Sequence, residues 1–152
     1  MRGTIRAFVG ADKGSVRQLM HPIFERRSWT LSLGAPWRAK EVDECIEITQ
    51  PDGVGALHIS SAHKRSGNVG EDETLSQTKT GSSVDSEIEP AQFGEFVGHA
   101  SEYVDWHTDR FWKKWFLGCR NDLLFVSYTC KRGDEELELP QVIELLKSLR
   151  TR

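Results

Sequence analysis

The chain has 152 residues, of which 38% are hydrophobic and 28% charged, with a net charge of −3 and a pI near 6.0. A chain of this length buries roughly 70% of its unfolded surface, which suits one soluble domain with a single core. Residues 1–28 carry six basic and two acidic side chains, whereas the rest carries 14 basic and 21 acidic ones. This acidic body repels nucleic acid and offers no basic stripe, so it predicts no nucleic-acid role and favours a basic protein as partner.

The cysteines and the apolar runs predict where the protein is located. Cys45, Cys119 and Cys130 are odd in number and widely spaced, which is typical of reduced thiols in the cytoplasm. No run approaches the roughly 18 apolar residues that a membrane span needs. The opening MRGTIRAFVG has no apolar region typical of a secretory signal. The sequence therefore predicts a cytoplasmic protein with no membrane association, either a monomer or a homodimer.

The first predicted boundary lies near residue 28. Residues 1–27 are expected to form an appendage, either a flexible arm or a short helix between Ser15 and Arg27, and residues 28–152 a single α/β domain. The domain opens with a half-buried strand in which Trp29, Leu31 and Leu33 share one face.

The middle of the chain alternates strands and loops. Strands are predicted over 44–49 and 55–61, joined by a turn at 50–53, and a helix over 68–79 with acids early and Lys79 late. A polar loop over 81–90 then leads into one long or bent strand over 92–106. Gly94 and Gly98 in that strand predict a bulge or a close approach of another backbone.

Two apolar strands, FWKKWFL and DLLFVSYTC, form the most informative segment, between residues 110 and 130. At period two both faces of each strand carry large apolar side chains, which predicts a sheet covered on both sides. The final helix, from about Leu139, has apolar residues at i, i+3, i+4 and i+7 (Val142, Leu145, Leu146 and Leu149). The predicted fold is α+β: an α/β/α sandwich with a mainly antiparallel six-stranded sheet covered by helices, including the C-terminal one.

Reactive side chains are present without a recognisable catalytic or metal-binding pattern. His58 and His63 have the spacing of a zinc-binding pair, but no cysteine pair accompanies them. Cys130 beside a histidine would be a nucleophile candidate, although a strand end is equally typical of a core thiol. We therefore predict no catalytic residue, no metal and no cofactor. A small enzyme or ligand-binding protein built on these His and Cys residues remains the alternative.

Aromatic side chains are concentrated between residues 103 and 128 in greater number than two small helices easily cover. Tryptophan and tyrosine dominate the energetics of protein interfaces. The predicted partner-binding residues are therefore Tyr103, Trp106, Trp112 and Trp115, while burial of the whole set in the core is the other interpretation.

Four segments, SWTLSLGAPW, PDGVGALHISS, RFWKKWFLGCRNDLLFVSYTC and VIELLKSLR, resemble the PsbP-like superfamily, which includes the Ran-binding Mog proteins and the DcrB-like proteins. The resemblance covers about residues 28–149 and consists of strand and helix pattern with a few aromatics. It implies an α/β/α sandwich that binds proteins without catalysis. The Trp-rich strands also look like those of small bacterial immunity proteins. The predicted function is a bacterial protein-binding domain, either an immunity protein or a secretion-effector adaptor or chaperone.

Overall fold

The structure is a computed structural model that describes residues 29–83 and 86–152, together with the backbone of residues 6–7 and 23–25. The elements are β1 (Arg6–Ala7), β2 (Ile23–Glu25), β3 (Trp29–Ser32), β4 (Arg38–Val42), β5 (Cys45–Thr49), β6 (Gly55–His63), α1 (Glu71–Thr80), β7 (Glu87–Phe93), β8 (Phe96–Asp105), β9 (Arg110–Cys119), β10 (Asp122–Lys131), α2 (Glu135–Leu146) and β11 (Arg150–Thr151).

The predicted fold class is wrong, because the residues that the structure describes are mostly β and form a main sheet of seven strands. The order is β4-β5-β6-β10-β9-β8-β7, and every neighbouring pair is antiparallel. The strand beginning at Trp29 does not belong to this sheet. As β3 it joins a smaller sheet of order β1-β2-β3-β11. The strand expected over 92–106 corresponds mainly to β8, whereas β7 begins inside the segment predicted as a polar loop over 81–90 and forms a hairpin with β8. β4 was not predicted at all.

The core lies between one face of the main sheet, the smaller sheet and α2. The predicted apolar stripe of Val142, Leu145, Leu146 and Leu149 is buried there. Trp29, Leu31 and Leu33 from the smaller sheet are also buried in it. The other face of the main sheet packs on α1, which contacts β8 and β9. The smaller sheet and α2 together cover one face of the main sheet and α1 covers part of the other, so the main sheet does not lie between two layers of helices.

A glycine near the start of β6 allows a close approach inside the core. A Cβ added to Gly55 would lie 2.7 Å from the Tyr128 hydroxyl oxygen. That hydroxyl donates to the buried Glu138 carboxylate over 3.0 Å, and the Gly55 backbone N–H donates to the same oxygen over 3.0 Å. The missing side chain thus leaves space for a hydrogen-bonded link between the main sheet and α2.

Two short strands from the predicted N-terminal appendage are described: β1 pairs with β2, and β2 pairs with β3. The predicted helix between Ser15 and Arg27 falls outside the described residues, except at Ile23–Glu25, where the chain is a strand. Within the described part of the chain, no helix is long and apolar enough to cross a membrane.

Candidate functional site

A surface groove lies where β8 and β9 extend past the end of α1. Its volume is about 620 Å³. Its walls come from residues 80–83, which are the last residue of α1 and the three that follow it, and from Tyr103, Asp105, Trp106, His107 and Lys114. We call this groove the Trp106 cleft. Its size is within the range that binds ligands or inserted side chains of a partner.

The turn between β8 and β9 presents Trp106 at the rim of the cleft. Asp105 ends β8, and its carboxylate accepts hydrogen bonds from the backbone N–H groups of His107 at 3.0 Å and Thr108 at 3.4 Å. Burial opposes ionisation of Asp105, but these hydrogen bonds outweigh it, and the pKa of the carboxyl group lies below its usual value. The ionised carboxylate therefore fixes the turn that carries the indole.

Trp106 is the most exposed large apolar side chain of the described residues, at 73% of its surface. The Arg132 guanidinium lies over its ring, 4.8 Å from the ring centroid. Arg132 in turn pairs with Asp109 at 2.7 Å. Because the Arg132 guanidinium is fixed by this ion pair, its stacking limits the motion of the indole and still leaves most of the indole in contact with solvent.

Strand register places two further aromatic side chains beside Lys114, of which Tyr103 lines the cleft. Tyr103 of β8 stands opposite Trp112 of β9, and Lys114 is two residues further along the same face. All three are half-buried. The Lys114 ammonium lies 5.2 Å from the Tyr103 ring centroid and 5.1 Å from that of Trp112.

Trp115, the fourth predicted partner-binding residue, points to the opposite face. It is 1% exposed and packs edge-to-face on Phe93 in the core, with ring centroids 6.2 Å apart. Trp115 therefore offers no surface to a partner, whereas the structure brings Tyr103, Trp106 and Trp112 to one end of one face.

The histidines and the cysteine of the alternative hypothesis do not converge. His58 pairs with Glu47 at 3.1 Å, and His63 pairs with Asp122 at 2.7 Å. Cys130 is at the other end of β10 from Asp122, eight residues or about 26 Å away. Burial raises the pKa of the Cys130 thiol, which disfavours the nucleophilic thiolate.

The other histidines also lie apart. His99 is buried under α1, where Thr74 is its hydrogen-bond partner at 2.9 Å, and His107 is exposed in the turn after β8. Among the described residues, no group of three His, Cys, Asp or Glu side chains is placed to hold a metal ion.

A second groove, of about 600 Å³, lies between the β3–β4 connection and α2. Pro36, Trp37, Pro140 and Leu145 give it apolar walls. Trp37 is half-buried in it, so this groove has no projecting aromatic anchor comparable to Trp106.

Lys114 and the residues that end α1 were missed from the sequence. Period two along FWKKWFL places Lys114 on the face of Trp112, so the strand pattern contained a signal for the lysine. No comparable signal was available for residues 80–83, because their place in the cleft depends on where α1 packs.

Comparisons with known proteins identify only the fold. No family model matches the sequence, and no curated protein matches it. A protein from Bacteroides thetaiotaomicron VPI-5482, with a crystal structure at 1.50 Å resolution, superimposes with a TM-score of 0.56 at 15% sequence identity. The match covers 82% of this chain and 45% of that protein, so this chain spans less than half of its structural neighbour. The PsbP-like resemblance stays a prediction.

Proposed function

We propose that this chain is a non-catalytic protein-binding domain whose partner contacts the Trp106 cleft. The observation that carries the proposal is the 73% exposure of Trp106 at a groove that Tyr103 and Lys114 also line. An indole already stacked by Arg132 loses little freedom on binding. Tryptophans in such positions are the side chains that most often dominate a protein interface.

The expected contribution of Trp106 follows from its exposed surface. Burying most of one indole is worth roughly 2 to 4 kcal/mol, since aromatic side chains bury about 150 to 250 Å² each. Truncation of the Trp106 side chain should then weaken the binding of a partner by about 30-fold to several hundred-fold. Tyr103 is half-buried in the cleft and would contribute its remaining surface, and Trp112 is half-buried beside it under Lys114.

The net charge of the chain supports a basic partner. Residues 29–152 carry 21 acidic and 14 basic side chains, and this excess attracts a positively charged protein over distances of about a Debye length. The attraction concerns the rate of encounter and not the contacts made in the complex.

An immunity protein and an effector adaptor are two forms of the proposed function, and the partner distinguishes them. An immunity protein would bind a folded toxin and abolish its activity. An adaptor or chaperone would bind an effector before secretion without blocking a reaction centre.

The test is to isolate the partner with a tagged chain and then to measure its affinity for variants by calorimetry. Trp106→Ala should raise Kd by at least about 30-fold. Leu137→Ala is the matched control, because Leu137 is 65% exposed on α2, away from the cleft, and its loss should change Kd by less than about threefold. Failure to recover any stoichiometric partner, or equal weakening by both variants, would contradict the proposal.

A further inference from the structure

Like Arg110, which donates to the Thr129 hydroxyl, Lys114 is a half-buried cation with no carboxylate partner among the described residues. Its Nζ donates to the Gly81 carbonyl oxygen at 3.0 Å. By contrast, Lys113 pairs with Glu89 at 3.1 Å, and Arg132 pairs with Asp109. No carboxylate oxygen among the described residues lies within 4.0 Å of Lys114. Among the described residues, the half-buried ammonium thus has a backbone carbonyl and two aromatic rings as its partners at the cleft.

The electrostatic preference of the cleft for cations or anions depends on two cations that already stack on its aromatic rings. Lys114 lies over the rings of Tyr103 and Trp112, and Arg132 lies over Trp106. A cation brought by a partner would meet aromatic rings that already stack against cations, and it would be repelled by Lys114. An anion would instead form a charge-assisted hydrogen bond with the ammonium.

Two negative features of the cleft do not reverse this conclusion. The Asp105 carboxylate is turned towards the backbone N–H groups of His107 and Thr108. The carbonyl end of α1 disfavours anions, but the Lys114 ammonium donates to the Gly81 carbonyl and offsets the partial negative charge there.

We propose that the Trp106 cleft binds an Asp or Glu side chain of the partner, with the carboxylate on Lys114 and a neighbouring apolar side chain against Trp106. This inference rests on the proposed function and specifies its anchor. The partner can be basic overall, as the charge of the chain predicts, and still insert one acidic side chain here. The long-range attraction and the local contact involve different parts of the two surfaces.

The test titrates the ¹⁵N-labelled chain with three blocked pentapeptides, Ac-Gly-Phe-X-Phe-Gly-NH₂, in which X is Glu, Gln or Lys. The Glu peptide should shift the amide signals of Ser82, Tyr103 and Lys114, and the Gln peptide should bind at least about tenfold more weakly. The Lys peptide should bind most weakly. Inorganic phosphate is a fourth probe, and it should bind more weakly than the Glu peptide.

Two lysine variants test whether Lys114 causes the preference for the Glu peptide. Lys114→Met should remove the difference between the Glu and Gln peptides, whereas Lys131→Met should preserve it, because Lys131 is exposed and does not line the cleft. Lys114 also holds the end of α1, so circular dichroism checks that Lys114→Met is folded, and an unfolded variant is set aside. The peptide comparison on the unaltered chain then decides the question by itself.

Several results would overturn the inference: equal binding of the Glu and Gln peptides, tighter binding of the Lys peptide or of phosphate, or amide shifts confined to another surface. The isolated partner separates this failure from that of the proposed function. If Trp106→Ala raises the Kd of the partner but Lys114→Met leaves it unchanged, the cleft is the interface, and the proposal that it binds an Asp or Glu side chain is wrong. If Trp106→Ala has no effect, the proposed function itself fails.

Discussion

Removing the Glu138 carboxylate should destabilise the fold more than any exposed substitution on α2. Glu138 is 3% exposed, and it accepts hydrogen bonds from the Tyr128 hydroxyl at 3.0 Å, the Gly55 backbone N–H at 3.0 Å and the Gln50 side-chain amide at 3.2 Å. Tyr128 is fully buried, so water cannot replace its lost acceptor. The three bonds join α2 to β6, to β10 and to the turn after β5.

The expected magnitude follows from the groups left without partners. Each hydrogen bond to an ionised group contributes about 1.5 to 3 kcal/mol, and an unsatisfied buried donor costs about 1 to 3 kcal/mol. The Tyr128 hydroxyl is fully buried and the Gly55 and Gln50 donors are half-buried, so Glu138→Ala should cost about 3 to 5 kcal/mol. Against a total stability of about 5 to 15 kcal/mol, this is a large fraction. Glu138→Gln keeps one acceptor oxygen, and Tyr128→Phe removes one donor, so each should cost about 1 to 2 kcal/mol.

Urea unfolding followed by tryptophan fluorescence and circular dichroism measures these costs. With an m-value of about 2 kcal/mol per molar, Glu138→Ala should lower the midpoint by about 2 M. Glu136→Ala on the same helix is the matched control; Glu136 is exposed, and its loss should change stability by less than about 0.5 kcal/mol. A Glu138→Ala midpoint within experimental error of the Glu136→Ala midpoint would refute the reasoning.

Four further predictions concern the reactivity of a thiol, the pH dependence of stability, two glycines and α1. Iodoacetamide at pH 7.5 should leave Cys130 unmodified in the native chain, because the thiol is buried and burial raises its pKa; mass spectrometry showing native labelling as fast as in urea would contradict this. Burial raises the pKa of Cys119, Cys130 and Tyr128. The unfolded chain therefore loses these protons first, and stability should be full below about pH 8.5 and fall as the pH rises, so an equal urea midpoint at pH 7.5 and 9.5 would contradict it. Gly94→Ala should cost more than about 1 kcal/mol, because φ is +61° and the new Cβ would lie 2.7 Å from a backbone carbonyl oxygen; Gly133→Ala, at φ +100° in open space, should cost less, as measured by thermal unfolding. Amides of α1 should exchange with deuterium faster than those of β9 and β10, because the buried side chains of α1 are two threonines; equal protection would contradict this.

The sequence predicted the centre of the main sheet because that part has strong apolar alternation. Leu124, Val126, Tyr128 and Cys130 were placed on one face and are all buried. The other face was also expected to need cover. There Phe125 is half-buried and stacks on Phe116, with ring centroids 4.7 Å apart.

The edges of the main sheet could not be predicted in the same way. β4 reads RAKEV and is exposed at four of its five residues, so it has no apolar alternation to detect. β7 contains Pro90, which is tolerated there because β7 is an edge strand that pairs on one side only. The alternation at Trp29, Leu31 and Leu33 indicated a half-buried strand, but periodicity does not say which sheet a strand joins. The predicted number of strands in the main sheet was therefore wrong because of β4, β7 and the strand that begins at Trp29.

The aromatic cluster was predicted as a group, and its division between two faces was present in the sequence. Trp112 and Trp115 are three residues apart on a strand, which places them on opposite faces. Which face reaches solvent depends on the packing of α1 and α2, and strand periodicity contains no information on that. Trp115 is therefore buried in the core, whereas Trp112 on the opposite face stays partly exposed.

The length of α1 explains why a cleft exists at this end of the sheet. Val69, just before the helix, lies over Gly118, and Ser82, just after it, bonds the Ser101 hydroxyl over 2.5 Å. The helix therefore runs along β9 from its end towards its middle. Ten helical residues span about 15 Å, whereas ten strand residues span about 33 Å. Tyr103 and Trp112 lie beyond the point where α1 stops, and a helix two turns longer would cover them. The open end of the sheet is thus a consequence of where α1 ends, at Thr80.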